Sequence, residues 1–168
     1  NAIDVNGLVT LSKGTFNAPS STFNIGGNFN LTGLSSFNHN NGTVIFDKIT
    51  NLTSAGKAFN NVQLGSAFVG GSLTLADTAA FDGSFSVGNG GLTTFNISSR
   101  TIYLGGNGVS IDFTNLDTFT VTGSTVIFDG YPGIQILTSD GKAFNNLTHQ
   151  STGTLELQDS LSVLVRLT

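Results

Sequence analysis

At 168 residues the chain is long enough to bury a core as a single domain, and a 38% hydrophobic content with a mean hydropathy of +0.16 excludes a disordered tail. Only 10% of residues are charged, against about 25% in ordinary soluble domains, which leaves a neutral surface of hydroxyls and amides. The net charge of −4, with six Lys and Arg scattered singly, excludes a phosphate-neutralising stripe and so a nucleic-acid partner, and the absence of cysteine excludes disulfides, thiolate metal sites and a Cys nucleophile.

In chain order, residues 1–11 alternate apolar and polar side chains at Ile3, Val5, Leu8 and Leu11 across an Asn6-Gly7 turn, which predicts short strands. Residues 12–21 carry Pro19, one of two prolines, and read as a loop. From residue 21 onward apolar residues recur at intervals of two or three, as in Phe23, Ile25, Phe29 and Leu31, broken by glycines such as Gly26, Gly27 and Gly33. No stretch predicts a helix. The single glutamate is Glu156, and the polar positions hold Thr, Ser and Asn, whose side chains compete with helical hydrogen bonds. The chain is expected to be all-β. No apolar run approaches the ~20 residues of a membrane span, so membrane insertion is not expected.

The chain also repeats itself. TVIFD at 43–47 returns at 125–129, LTSAGKAFNN at 52–61 returns as LTSDGKAFNN at 137–146, and GSLTLAD at 71–77 returns as GTLELQD at 153–159. The outer blocks recur at a shift of 82 residues and the middle one at 85. Two repeats, over about 7–87 and 91–168, therefore fill one domain spanning 1–168. Within each, strand-like segments start about 14 to 21 residues apart, the length of a solenoid coil that buries its inner face only by stacking on neighbours. Each repeat is expected to supply about four coils, giving about eight in all. Phe46 with Phe128, and Phe59 with Phe144, are expected inside, and the Asn60-Asn61 and Asn145-Asn146 pairs at corners, bonding the next coil's backbone. A β-sandwich, or two of them, is the alternative architecture, but its strands need not recur in sequence.

The run of a Gly-Gly-Asn-Phe segment at 26–29, GTVIFD, LTSAGKAFNN and SLTLAD resembles repeats of large secreted bacterial surface proteins, in the class of filamentous-haemagglutinin and autotransporter passenger domains. The resemblance covers residues 22–87 and 101–163. It implies a right-handed parallel β-helix of the adhesin type and an extracellular, secreted or cell-surface address. A first residue Asn1 fits a processed product, and the lack of Cys, Met and Trp fits export.

No catalytic, cofactor or metal site is expected. His39 and His149 sit in unlike contexts and read as solvated loop positions. Asp47 with Asp129, and Asp77 with Asp159, are the candidate carboxylate pairs for a carbohydrate-binding or carbohydrate-cleaving β-helix. Their equivalence across the repeat favours turn formers that bond their own backbone. Threonine rows such as 118–122 offer a further, ice-binding alternative. Five N-x-[ST] sequons, at Asn30, Asn41, Asn51, Asn96 and Asn146, are possible glycosylation sites and make glycans a possible partner. The assembly interface is expected at the ends, from Ile3 and Val5 on one side and from Leu161, Val163, Val165 and Leu167, aligned on one face, on the other. A non-enzymatic structural protein that forms homo-oligomers or filaments by strand addition is the expected function.

Overall fold

The structure, a computed structural model, describes residues 1–106, 108–130 and 132–168. These form 22 short strands and no helix, all of them paired in parallel. The first sheet stacks β1 (Ile3–Val5), β4 (Thr22–Ile25), β7 (Thr43–Phe46), β10 (Asn61–Leu64), β13 (Phe85–Val87), β16 (Ser110–Asp112), β19 (Ile134–Thr138) and β21 (Thr154–Leu157). The second stacks β2 (Val9–Thr10), β5 (Phe29–Asn30), β8 (Ile49–Thr53), β11 (Ser72–Leu75), β14 (Thr94–Asn96) and β17 (Thr118–Thr120). On the third side β3 (Thr15–Asn17) pairs with β6 (Ser36–Asn38), and β9 (Ala58–Phe59), β12 (Ala79–Phe81), β15 (Thr101–Leu104), β18 (Thr125–Phe128), β20 (Ala143–His149) and β22 (Ser162–Leu167) continue it. The chain winds past the three sides in turn, with no separate second-sheet strand in the last two turns, a three-sided β-solenoid of about eight turns.

Alternation along each strand builds the core. In Thr22–Ile25, Thr43–Phe46 and Ser72–Leu75 the second and fourth side chains are buried and the first and third lie toward solvent, as a two-residue period dictates. Register then places like on like: Phe23, Val44, Val62, Phe85, Ile111 and Leu137 form one continuous inner row. Phenylalanines of neighbouring coils pack together on the third side, stacked for Phe16–Phe37 with ring centroids 5.9 Å apart, tilted for Phe37–Phe59 at 5.2 Å and edge-to-face for Phe59–Phe81 at 6.1 Å. Such pairs contribute about 0.5–1.5 kcal/mol each beyond area burial. Phe46, Phe59, Phe128 and Phe144 are all fully buried, as expected. At the corners coils approach so closely that a side chain is excluded. A Cβ on Gly42 would strike the Pro19 carbonyl, and one on Gly70 the Leu92 carbonyl.

The repeat is not a whole number of turns. The two TVIFD blocks are β7 and β18, eleven strands apart, so 82 residues span about three and two-thirds turns. Equivalent blocks therefore lie on different sides of the solenoid, β7 in the first sheet and β18 in the third. Their local pairing is nonetheless the same. Asn61 pairs with Thr43 and Val62 with Val44 in the first copy, as Asn146 pairs with Thr125 and Leu147 with Val126 in the second. The corner at Asn60 in the first copy becomes an irregularity inside β20, where the register shifts between Phe144 and Asn146. Phe144 packs edge-to-face against Phe119 of β17 at 5.5 Å, so the start of β20 continues the second side while residues 146–149 pair on the third. The Asn amides do bond neighbouring coils: Asn61 Oδ1 accepts the Ser84 amide at 2.9 Å, and Asn146 Nδ2 donates to the Ser124 carbonyl at 2.9 Å.

Candidate functional site

The inner rows end exposed. Leu157 lies in register over fully buried Leu137 and is 43% exposed, and Leu167 lies over fully buried Leu147 and is 61% exposed. Leu161 and Val163 are half-buried, with Val163 in line with Phe144. The expected row of four is interrupted. Asn146 pairs with Arg166 while Phe144 pairs with Val163, so β22 carries an extra residue at this point, and Val165 turns out to solvent. At the other end Ile3 and Val5 stand in register over Phe23 and Ile25, Ile3 exposed and Val5 half-buried. β1 and β21 are the two outer strands of the first sheet, and β22 is an outer strand of the third. Leu157 was missed as an end residue because GTLELQD shares its alternation with GSLTLAD, whose Leu75 is buried, and alternation carries no sign of where the stack ends.

The aspartates act between coils. Asp77 accepts the amides of Ser54 at 2.8 Å and Ala55 at 2.7 Å, Asp117 accepts the Thr93 amide at 2.7 Å, and Asp159 accepts the Ser139 amide at 2.9 Å and also that of Asp140. The expectation that Asp77 and Asp159 bond their own backbone is thus corrected. They hold the turn of the preceding coil, where Ala55 and Asp140 adopt positive φ. Donation from the Thr93 backbone lowers the Asp117 pKa, and donation from the Ser139 backbone lowers that of Asp159. Asp47 and Asp129 do not converge, because the strands before them belong to different sheets.

The two histidines are not brought together either. His39 Nδ1 accepts the Asn41 amide at 3.1 Å in a turn. His149 is not a loop residue: it ends β20 in register with Phe128, as Leu64 ends β10 in register with Phe46, and it is half-buried with Nε2 sheltered and unpartnered. Of the sequon asparagines, Asn51 Nδ2 donates to Asn28 Oδ1 at 3.1 Å and Asn146 Nδ2 to Ser124, while Asn30 and Asn96 accept the Thr32 and Ser98 amides through Oδ1. Asn41 is exposed in a turn at φ 57°. Thr118 pairs with Thr94, which pairs with Ser72, so the hydroxyl row there is mixed.

A groove of about 590 Å³ runs along the corner between the first and second sheets, lined among others by Asp47, Lys48, Ile49, Val69 and Leu92. Ile49 and Leu92 are strongly exposed, as is nearby Phe68 at 90%. Sequence reasoning missed this surface, although Phe68 in GSAFVGG falls outside any strand alternation. Among the described residues no three His, Asp or Glu side chains group as a metal site, and no helix is long and apolar enough to cross a membrane. No protein-family model matches the chain, and no curated protein or solved structure matches it.

Proposed function

We propose that the chain is a non-enzymatic structural β-solenoid, a module of an extracellular adhesin-type surface protein or filament, which extends by stacking the first coil of a second copy on its last. The observation that carries this reading is the exposure of Leu157 and Leu167 in rows whose preceding members, Leu137 and Leu147, are fully buried. Both ends of the solenoid present parallel strand edges running in one rotational sense, with apolar inward residues at each: Ile3 and Val5 at one, Val163 and Leu167 at the other. Head-to-tail stacking would continue backbone ladders and inner rows together, and a contact of this kind does not close on itself. The surface-protein assignment rests on the resemblance of the GTVIFD and GKAFNN blocks and on the neutral, hydroxyl-rich exterior.

The test is substitution of Leu157 and Leu167 by Lys, read by sedimentation and negative-stain microscopy. Deleting residues 160–168 is less clean, because it uncovers Phe144 and Leu147, the next layer of the same rows. Rods that lengthen with concentration in the parent chain and dispersed particles in the doubly substituted one are expected. A parent chain dispersed at every concentration, or equal assembly by both chains, would overturn the reading.

A further inference from the structure

Asn6-Gly7, the bend between β1 and β2, is one of four Asn-Gly pairs in the chain, with Asn41-Gly42, Asn89-Gly90 and Asn107-Gly108. In such a pair the backbone nitrogen that follows the asparagine meets least obstruction on its way to the side-chain carboxamide, because glycine has no Cβ beside it. The fold sets the pairs apart. The Gly42 amide donates to the His39 carbonyl at 2.9 Å and the Gly90 amide to the Ser66 carbonyl at 2.9 Å, so both nitrogens are held. Among the described residues the Gly7 amide donates to no group, and Asn6 and Gly7 are both exposed. Asn107 lies outside the described residues.

Asn6 also carries a cation on its carboxamide. Lys48 Nζ donates to Asn6 Oδ1 at 3.1 Å, a contact between residues 42 apart in the chain. The lysine leaves the corner of the third coil and crosses the second at Gly26, where a Cβ would stand 3.2 Å from Lys48 Cδ and 3.2 Å from Asn6 Cα, so the missing side chain opens its path. We propose that Asn6 is a self-modification site, at which the carboxamide is converted to a carboxylate with Lys48 as the group that stabilises the developing charge. Hydroxide from solvent takes the Gly7 amide proton, and the freed nitrogen attacks Asn6 Cγ. Negative charge then gathers on Oδ1, beside the Lys48 ammonium, as in an oxyanion hole. The Cγ–Nδ2 bond breaks and ammonia leaves, its third proton drawn from water, which restores the hydroxide. Water opens the resulting five-membered imide at either carbonyl and gives an aspartyl or an isoaspartyl residue at position 6. The aspartyl product keeps Lys48 as its partner, so a neutral contact becomes an ion pair that ties the first coil to the third. The isoaspartyl product lengthens the backbone between β1 and β2 by one carbon.

Incubation of the folded chain at mildly alkaline pH, followed by peptide mapping with mass spectrometry, tests this alongside Lys48→Met and Gly7→Ala. Asn6 is expected to gain the mass of an acid over an amide ahead of Asn41 and Asn89. Lys48→Met should slow that gain about three- to tenfold, less than the loss of a water-excluded oxyanion donor because this one faces solvent. A Cβ on Gly7 meets nothing within 4 Å, so Gly7→Ala keeps the fold and obstructs only the attacking nitrogen, and it should slow the gain as well. In urea, where the winding is lost, Asn6 should convert no faster than Asn41 and Asn89, and K48M should match the parent chain. An Asn6 that stays intact in the folded chain, or converts no faster there than Asn41 and Asn89, would overturn the site, and so would folded K48M that converts as fast as the parent or faster.

Discussion

Asp77, Asp117 and Asp159 each place a carboxylate under the turn of the preceding coil, where free backbone amides would otherwise face solvent. Replacing Asp77 by Ala is expected to cost about 1 kcal/mol, the usual worth of a capping side chain, measured by urea denaturation. For Asp117 and Asp159 the folded pKa lies below the unfolded value, so their contribution is full above the unfolded carboxyl pKa and is lost as pH falls through the folded one. Thermal midpoints of D117N and D159N should therefore fall less between pH 5 and the acid limb than that of the parent chain. Asp129 runs the other way. Its folded pKa is raised, so it favours the fold when protonated and opposes it as pH rises through the folded value. At neutral pH, D129N should melt higher than the parent chain. That Asp77 and Asp159 sit at turns was legible in the sequence, while Asp117 was not singled out; which turn each one holds was not legible, because the partners lie 19 to 24 residues away and only the winding of the chain brings them under one another.

At the level of strands, the inner phenylalanines carry the packing. Phe59 touches Phe29, Phe37 and Phe81, and truncating it to Ala should cost about 3–5 kcal/mol in a denaturation experiment, through lost transfer energy and the cavity left behind. Phe68→Ser, on a residue 90% exposed, should stay within about 0.5 kcal/mol of the parent. Alternation alone marks Phe46, Phe59, Phe128 and Phe144 as inward, since a two-residue period leaves a strand one choice of face. It could not show on which side of the solenoid each strand lies. Turns of unequal length decide that: Thr43 to its partner Asn61 takes 18 residues and Phe85 to its partner Ile111 takes 26, and a repeat length read along the chain carries no count of corners. Val165 was misplaced for a related reason, because an unbroken apolar alternation gives no sign of an extra residue accommodated opposite Asn145.

The whole molecule is a stack in which each turn touches chiefly its neighbours, so stability accumulates turn by turn. With only 10% of residues charged, end-to-end growth would draw on apolar burial and backbone pairing, and rod length should change little between low and high sodium chloride. The offset between the repeats has a consequence for what such a rod shows its surroundings. Because TVIFD advances by eleven strands around a three-sided body, the outward residues of the second copy, Thr125 and its neighbours, look out about a third of a revolution away from Thr43 and its neighbours. A motif that recurs in the sequence thus winds around the shaft like the thread of a screw, and a receptor approaching from one side meets one copy of it and not a column of two.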